Sequence, residues 1–154
     1  MCPSADREDS PEHNQATFLM TNIMPQLHEL NSGPWEKLEE RERELAKRPG
    51  TELFIIAGGV FANPPPTIGH GVAVPKTNYK IIVVLGHGQS AADVSPGTEV
   101  IAAMMPNEWE VETHPWTDYA TSVDEIERQS GYDFLSKVPE DVQRVVEANV
   151  AGVR

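Results

Sequence analysis

Apolar residues gather in a few dense runs, and the spacing inside each run predicts its element. The first, "ATFLMTN", is continuous rather than alternating, and residues 17–21 read as a short, largely buried strand. Before it, "PSADREDSPEHNQ" is polar and holds two prolines, so residues 3–15 read as an exposed loop. In "PWEKLEERERELAKR" the pattern changes to a helical one, with Trp35, Leu38 and Leu45 on one side and Glu and Arg on the other. Pro34 suits the first turn of that helix, and "PG" at Pro49 and Gly50 ends it.

"ELFIIAGGVF" then reads as an apolar strand that closes on the proline-rich turn "NPPPTIGHG". "VAVPKTNYKIIVVLG" is one long strand, or two broken at Pro75, and its valines and isoleucines predict a central place in a sheet. "HGQSAADVSPG" reads as a loop and "TEVIAAMMPN" as a further strand. The tail holds two helical stretches, "SVDEIERQSG" and "VPEDVQRVVEANV", the first capped by Ser122 with Glu125 three residues on. This order predicts an α+β fold, and 154 residues without a visible repeat predict a single domain over 1–154.

Charge sharpens the picture. The net charge is −12, and residues 108–154 hold 11 acidic against 4 basic residues. Such a body repels polyanions unless a local basic site receives them. The run "RERELAKR", with Arg41, Arg43, Lys47 and Arg48, is the first place to look for one. The single cysteine, Cys2, excludes an internal disulfide, and no apolar run is long enough to span a bilayer, so no membrane partner is expected.

Candidate chemistry concentrates in "TNIMPQLHELNSGPWEKLEERER". At about 100° per residue, Asn31, Glu39 and Arg43 would spread over roughly 120° of one helix face. An amide oxygen is a hard ligand suited to Mg²⁺, a nearby carboxylate can orient the ion's waters, and a guanidinium can pair with phosphate oxygens. The same residues also fit a surface ion pair at i, i+4 and an asparagine that caps or turns the chain.

"MCPSADR", "ATFLMTNIMPQ", "LNSGPWEKLEERER", "VAVPKTNYKIIVV", "MMPN" and "SVDEIERQSGYDFLSKVP", in this order, resemble the DNA/RNA non-specific endonucleases. This is the ββα-metal (His-Me finger) family, which includes mitochondrial endonuclease G and the secreted bacterial sugar-non-specific nucleases. The resemblance implies a mixed, mainly antiparallel sheet flanked by helices. It also implies Mg²⁺, with Mn²⁺ as a substitute, bound by Asn31, and catalytic roles for Glu39, Arg43 and Asn22. The implied substrates are DNA and RNA, gripped through the phosphate backbone.

In the family an Asp-Arg-Gly-His segment, whose histidine is the general base, directly precedes the "MCPSADR"-like stretch. The expectation is therefore a C-terminal portion with an incomplete finger that lacks its first strand, weak or inactive alone, in which Met1 follows the position of the base. Of the five histidines, His28 lies nearest Asn31, but a surface or turn role fits it and His13, His70, His87 and His114 better. The alternative is a non-catalytic module that binds metal and nucleic acid. The bacterial relatives imply a secreted or periplasmic protein, and a homodimer or an inhibitor protein is a further open partner.

Overall fold

A computed structural model of the chain describes residues 2–150, so Met1, on which the expectation about the start of the chain falls, lies outside the described residues. The predicted loop over 3–15 instead contains a 3₁₀ turn, Ser4–Asp6, and a short helix, α1, Pro11–Ala16. Ser10 caps α1 by accepting a hydrogen bond from the His13 N–H, and Pro11 stands in its first turn.

The predicted strand over 17–21 does not form. Thr17 ends α1, with its hydroxyl donating to the Asn14 carbonyl at 2.7 Å, and Met20–Asn22 is a 3₁₀ turn. Phe18, Leu19 and Met20 are exposed, so the apolar run has no sheet to enter.

Next come α2, His28–Asn31, and α3, Pro34–Ala46. The strands are β1 (Thr51–Val60), β2 (Thr67–Ile68), β3 (Val72–Ala73), β4 (Thr77–Gly86), β5 (Val100–Pro106) and β6 (Ala120–Thr121). Among the described residues they make a four-stranded antiparallel sheet in the order β1-β4-β5-β6 and a separate β2-β3 hairpin. The predicted long strand is thus two, β3 and β4, on either side of Pro75. Helices α4 (Val123–Ser130) and α5 (Glu140–Val146) close the chain, and the Ser122 hydroxyl accepts from the Glu125 N–H.

Alternation along β4 sorts its side chains between two cores. Tyr79, Ile81, Val83 and Leu85 pack with Val123 and Ile126 of α4 and Val146 of α5. Ile82, with Ile101, Ala103 and Met105 of β5, packs under Leu30 of α2 and Trp35, Leu38 and Leu45 of α3. The sheet therefore separates an α2/α3 side from an α4/α5 side.

The turn between α2 and α3 is sterically tight. A Cβ on Gly33 would run into the Glu29 carbonyl oxygen and sit 3.4 Å from the Glu112 Cα, both backbone atoms that cannot swing away. Gly33→Ala is expected to cost ~1–3 kcal/mol of stability, as other overpacking does, read as a lowered urea midpoint. An unchanged midpoint would show that the turn relaxes freely.

Candidate nucleic-acid and metal site

Gly33 matters because it breaks the helix between the predicted site residues. Asn31 is the last residue of α2, whereas Glu39 and Arg43 belong to α3. The expected single helix face does not exist, since the backbone at Gly33 (φ −102°, ψ −118°) leaves helical geometry and starts a new axis. The fold still brings three of the four predicted residues together, and Arg43 is not among those that line their cleft. Asn22, Asn31 and Glu39 line one open cleft of about 290 Å³ with Trp35 and the segment Cys2, Pro3 and Ser4.

Each wall is fixed differently. Asn31 is exposed, and its side-chain amide has no protein partner among the described residues. Glu39 is held: its Oε1 accepts from the Trp35 indole N–H at 2.9 Å and stands 3.5 Å from the Lys80 Nζ. Its other oxygen, Oε2, has no protein partner among the described residues. Burial pushes the Glu39 carboxyl above its usual range, against the pull of the Lys80 charge.

Lys80 is only 1% exposed, although it lies in the central strand. Its Nζ is 2.9 Å from Glu42 Oε1, angled away from a hydrogen bond, and 4.3 Å above the Trp35 ring. Glu42 is also buried, and desolvation raises its carboxyl despite that cation. One ammonium is thus shared between two carboxyl groups and can balance the charge of only one of them. Sequence reasoning missed it, although a lysine inside "NYKIIVV" was a usable signal, because a central strand has no solvent face for it.

Asn22 and Arg43 grip the N-terminal segment. The Asn22 side-chain oxygen accepts the Cys2 N–H at 2.7 Å, and its amide donates to the carbonyls of Cys2 at 2.8 Å and Thr17 at 2.9 Å. Its hydrogen-bonding groups are thereby occupied within the protein. Arg43 does not turn toward Glu39; its Nη1 pairs with Asp6 Oδ1 at 3.2 Å. That single bond leaves most of the guanidinium's five donors open.

The basic run around Arg43 is otherwise largely committed. Arg41 pairs with Glu44 at 3.2 Å, and Arg48 with Glu99 at 3.0 Å. Arg7, by contrast, borders hollows next to the cleft with Cys2 and Asn22.

None of the five histidines lines the cleft. His28 is exposed, with Nε2 at 3.5 Å from the Ser32 hydroxyl. His13 borders an adjacent hollow with Cys2, Arg7 and Asn22, and its Nδ1 is held 2.7 Å from Asp9 Oδ2. Among the described residues no helix is long and apolar enough to cross a membrane.

A family model described as DNA/RNA non-specific endonuclease matches residues 1–141. A nuclease of Nostoc sp. is 44% identical over 151 residues, covering 97% of this chain and 54% of that protein. Mitochondrial nuclease 1 of Schizosaccharomyces pombe is 28% identical, covering 89% of this chain and 45% of its own length. The nuclease of Serratia marcescens is 26% identical over 128 residues. In structure, a chain from the EndoG/EndoGI complex superposes with a TM-score of 0.69 at 22% identity, covering 92% of this chain and 60% of that one. The chain thus spans about half the length of the curated relatives it matches.

Proposed function

Because the chain belongs to the DNA/RNA non-specific endonuclease family, we propose that its cleft is the metal- and phosphate-binding part of a nuclease site that hydrolyses DNA and RNA. The observation that carries the reading is the convergence of Asn31 and Glu39 on one open cleft, from two helices that the sequence joins by a break. An exposed amide and a carboxylate oxygen that line one cleft, both without a partner among the described residues, are a sparse, hard-oxygen donor set. It fits Mg²⁺, which keeps several waters and takes few protein ligands, and Mn²⁺ by the same chemistry.

In this reading Asn31 would hold the ion through its side-chain oxygen. Glu39, fixed by Trp35 and Lys80, would orient the ion's waters through its other oxygen. A bound Mg²⁺ supplies Lewis-acid stabilisation of the charge that develops on phosphate and leaving oxygen. Arg43 offers its unused N–H groups to a phosphate oxygen while Asp6 holds the guanidinium in place. Asn22 acts as a positioning residue, because its amide is spent on holding Cys2 and Thr17. Contacts confined to backbone phosphates accept DNA and RNA alike.

The general base comes from outside these residues. Support for this is that no described histidine lines the cleft, while Asn22 holds Cys2 against it. A base must come within about 3 Å of its proton, directly or through one water. By analogy with the EndoG/EndoGI complex, an inhibitor protein is a further class of partner.

The test is plasmid nicking by purified 1–154 in Mg²⁺ and in EDTA. Missing general bases typically cost 10²- to 10⁴-fold, so only trace, Mg²⁺-dependent nicking is expected. A rate like that of the full-length relatives would overturn the external-base reading.

A further inference from the structure

The α4/α5 side of the sheet, opposite the nuclease cleft, carries a second set of oxygen ligands. Oxygens of Asp124, Glu127 and Glu147 all lie within 4.8 Å of one another. Asp124 and Glu127 are one turn apart on α4, and Glu147 directly follows α5. The Asp124 N–H donates to the Glu147 carbonyl at 3.2 Å, so the two elements are already in contact where the carboxylates meet.

A cluster of acids on an acidic surface is ordinary; Glu147 is not. It is 6% exposed, and its Oε1 is buried without any hydrogen-bond partner. No cation of the described residues pairs with the three carboxylates, and Arg128, beside them on α4, is committed to Glu125 at 2.7 Å. One Glu127 oxygen accepts the Phe134 N–H at 2.6 Å, which fixes the orientation of that side chain. A buried side chain with an unpartnered carboxylate oxygen, grouped with two other carboxylates, is costly unless a cation completes the group.

We infer that Asp124, Glu127 and Glu147 form a calcium site that fastens α4 to α5, separate from the nuclease cleft. Three carboxylates within 4.8 Å can surround one ion at Ca–O distances of about 2.3–2.6 Å. Mg²⁺ holds its waters more tightly and usually takes one or two carboxylates, so it is the weaker ligand here. The site is independent of the nuclease reading, because it shares no residue with the cleft.

Burial, and then the charge of Glu127, pushes the Glu147 carboxyl up to about 7 from its ordinary 4.5, with Asp124 and the nearby Asp133 adding to the rise and Gln143 of α5 opposing it. A folded value above the unfolded one means that the metal-free chain loses stability as pH rises from about 4.5 to about 7. Calcium favours the ionised form and therefore reduces that loss.

The test is thermal melting of the whole chain at pH 7.5 with CaCl₂ alone, against EDTA, in the parent and in Asn31→Ala, Asp124→Asn and Glu147→Gln. At about 100 times its Kd, calcium is expected to raise the Tm of the parent and of Asn31→Ala by roughly 5 °C or more. Asp124→Asn, at an exposed position, and Glu147→Gln are expected to lose most of that rise, and Glu147→Gln is expected to melt higher than the parent in EDTA. MgCl₂ at the same concentration should give a smaller shift in Asn31→Ala than CaCl₂ does. No calcium shift in the parent, or an equal shift in Glu147→Gln and Asp124→Asn, would overturn the site.

Discussion

Replacing Lys80 by methionine is expected to destabilise the chain by ~3–5 kcal/mol, the cost of removing one partner from a buried ion pair. The substitution keeps the length of the side chain and much of its packing, so the loss measures charge rather than a cavity. Glu39 and Glu42 would remain beneath the cleft with their single buried cation gone, at separations that were 3.5 and 2.9 Å. Desolvation already raises both carboxyls, and without Lys80 both rise further. Urea denaturation at pH 7.5 should show a lowered midpoint, and part of the loss should return at pH 5, where the unpaired acids take up protons. A midpoint equal to the parent's would show that the ammonium is not the counter-charge of these acids. Lys80→Arg is expected to lose stability too, since the bulkier guanidinium overpacks a site that leaves Lys80 only 1% exposed.

The second large effect is on chemistry. Once an Asp-Arg-Gly-His segment is supplied, Asn31→Ala is expected to lower Mg²⁺-dependent cleavage of plasmid and of RNA by at least ~100-fold, because it removes the only direct protein ligand in the proposed site. Glu39→Gln keeps the shape and the Trp35 hydrogen bond but loses the charge, and ~10–100-fold weaker metal binding is expected. Stability should move little in Asn31→Ala, since the residue is exposed and its amide has no partner among the described residues. Cleavage within threefold of the parent in Asn31→Ala would remove this residue from the metal site.

Local patterns carried a good part of the fold. The helix from Pro34 was legible because Trp35, Leu38 and Leu45 recur at helical spacing, and β4 because "YKIIVVLG" is dense in branched residues. Residues 17–21 have the same apolar density but were not legible as a 3₁₀ turn. Asn22 holds Thr17, five residues back, and Cys2, twenty residues back, and the second contact lies outside any local window. The arrangement of Asn31, Glu39 and Arg43 was legible as a group but not as a geometry. A shared face requires one continuous helix, and the close packing of Gly33 against Glu29 and Glu112 divides it into two. Lys80 and Asp6 escaped because each pairs with α3 from a distant part of the chain. The resemblance pointed to which residues matter; the structure adds what holds them.

The most direct measurement compares Mg²⁺-dependent cleavage of DNA and RNA by 1–154 alone and by the same chain joined to the family's upstream segment bearing Asp-Arg-Gly-His. A gain of at least ~100-fold on both substrates is expected, the size of effect an added general base gives, and it should disappear in EDTA and in Asn31→Ala. No gain in a joined chain that folds cooperatively and binds Mg²⁺ would contradict it, and would make the cleft a binding module rather than half of a catalytic site.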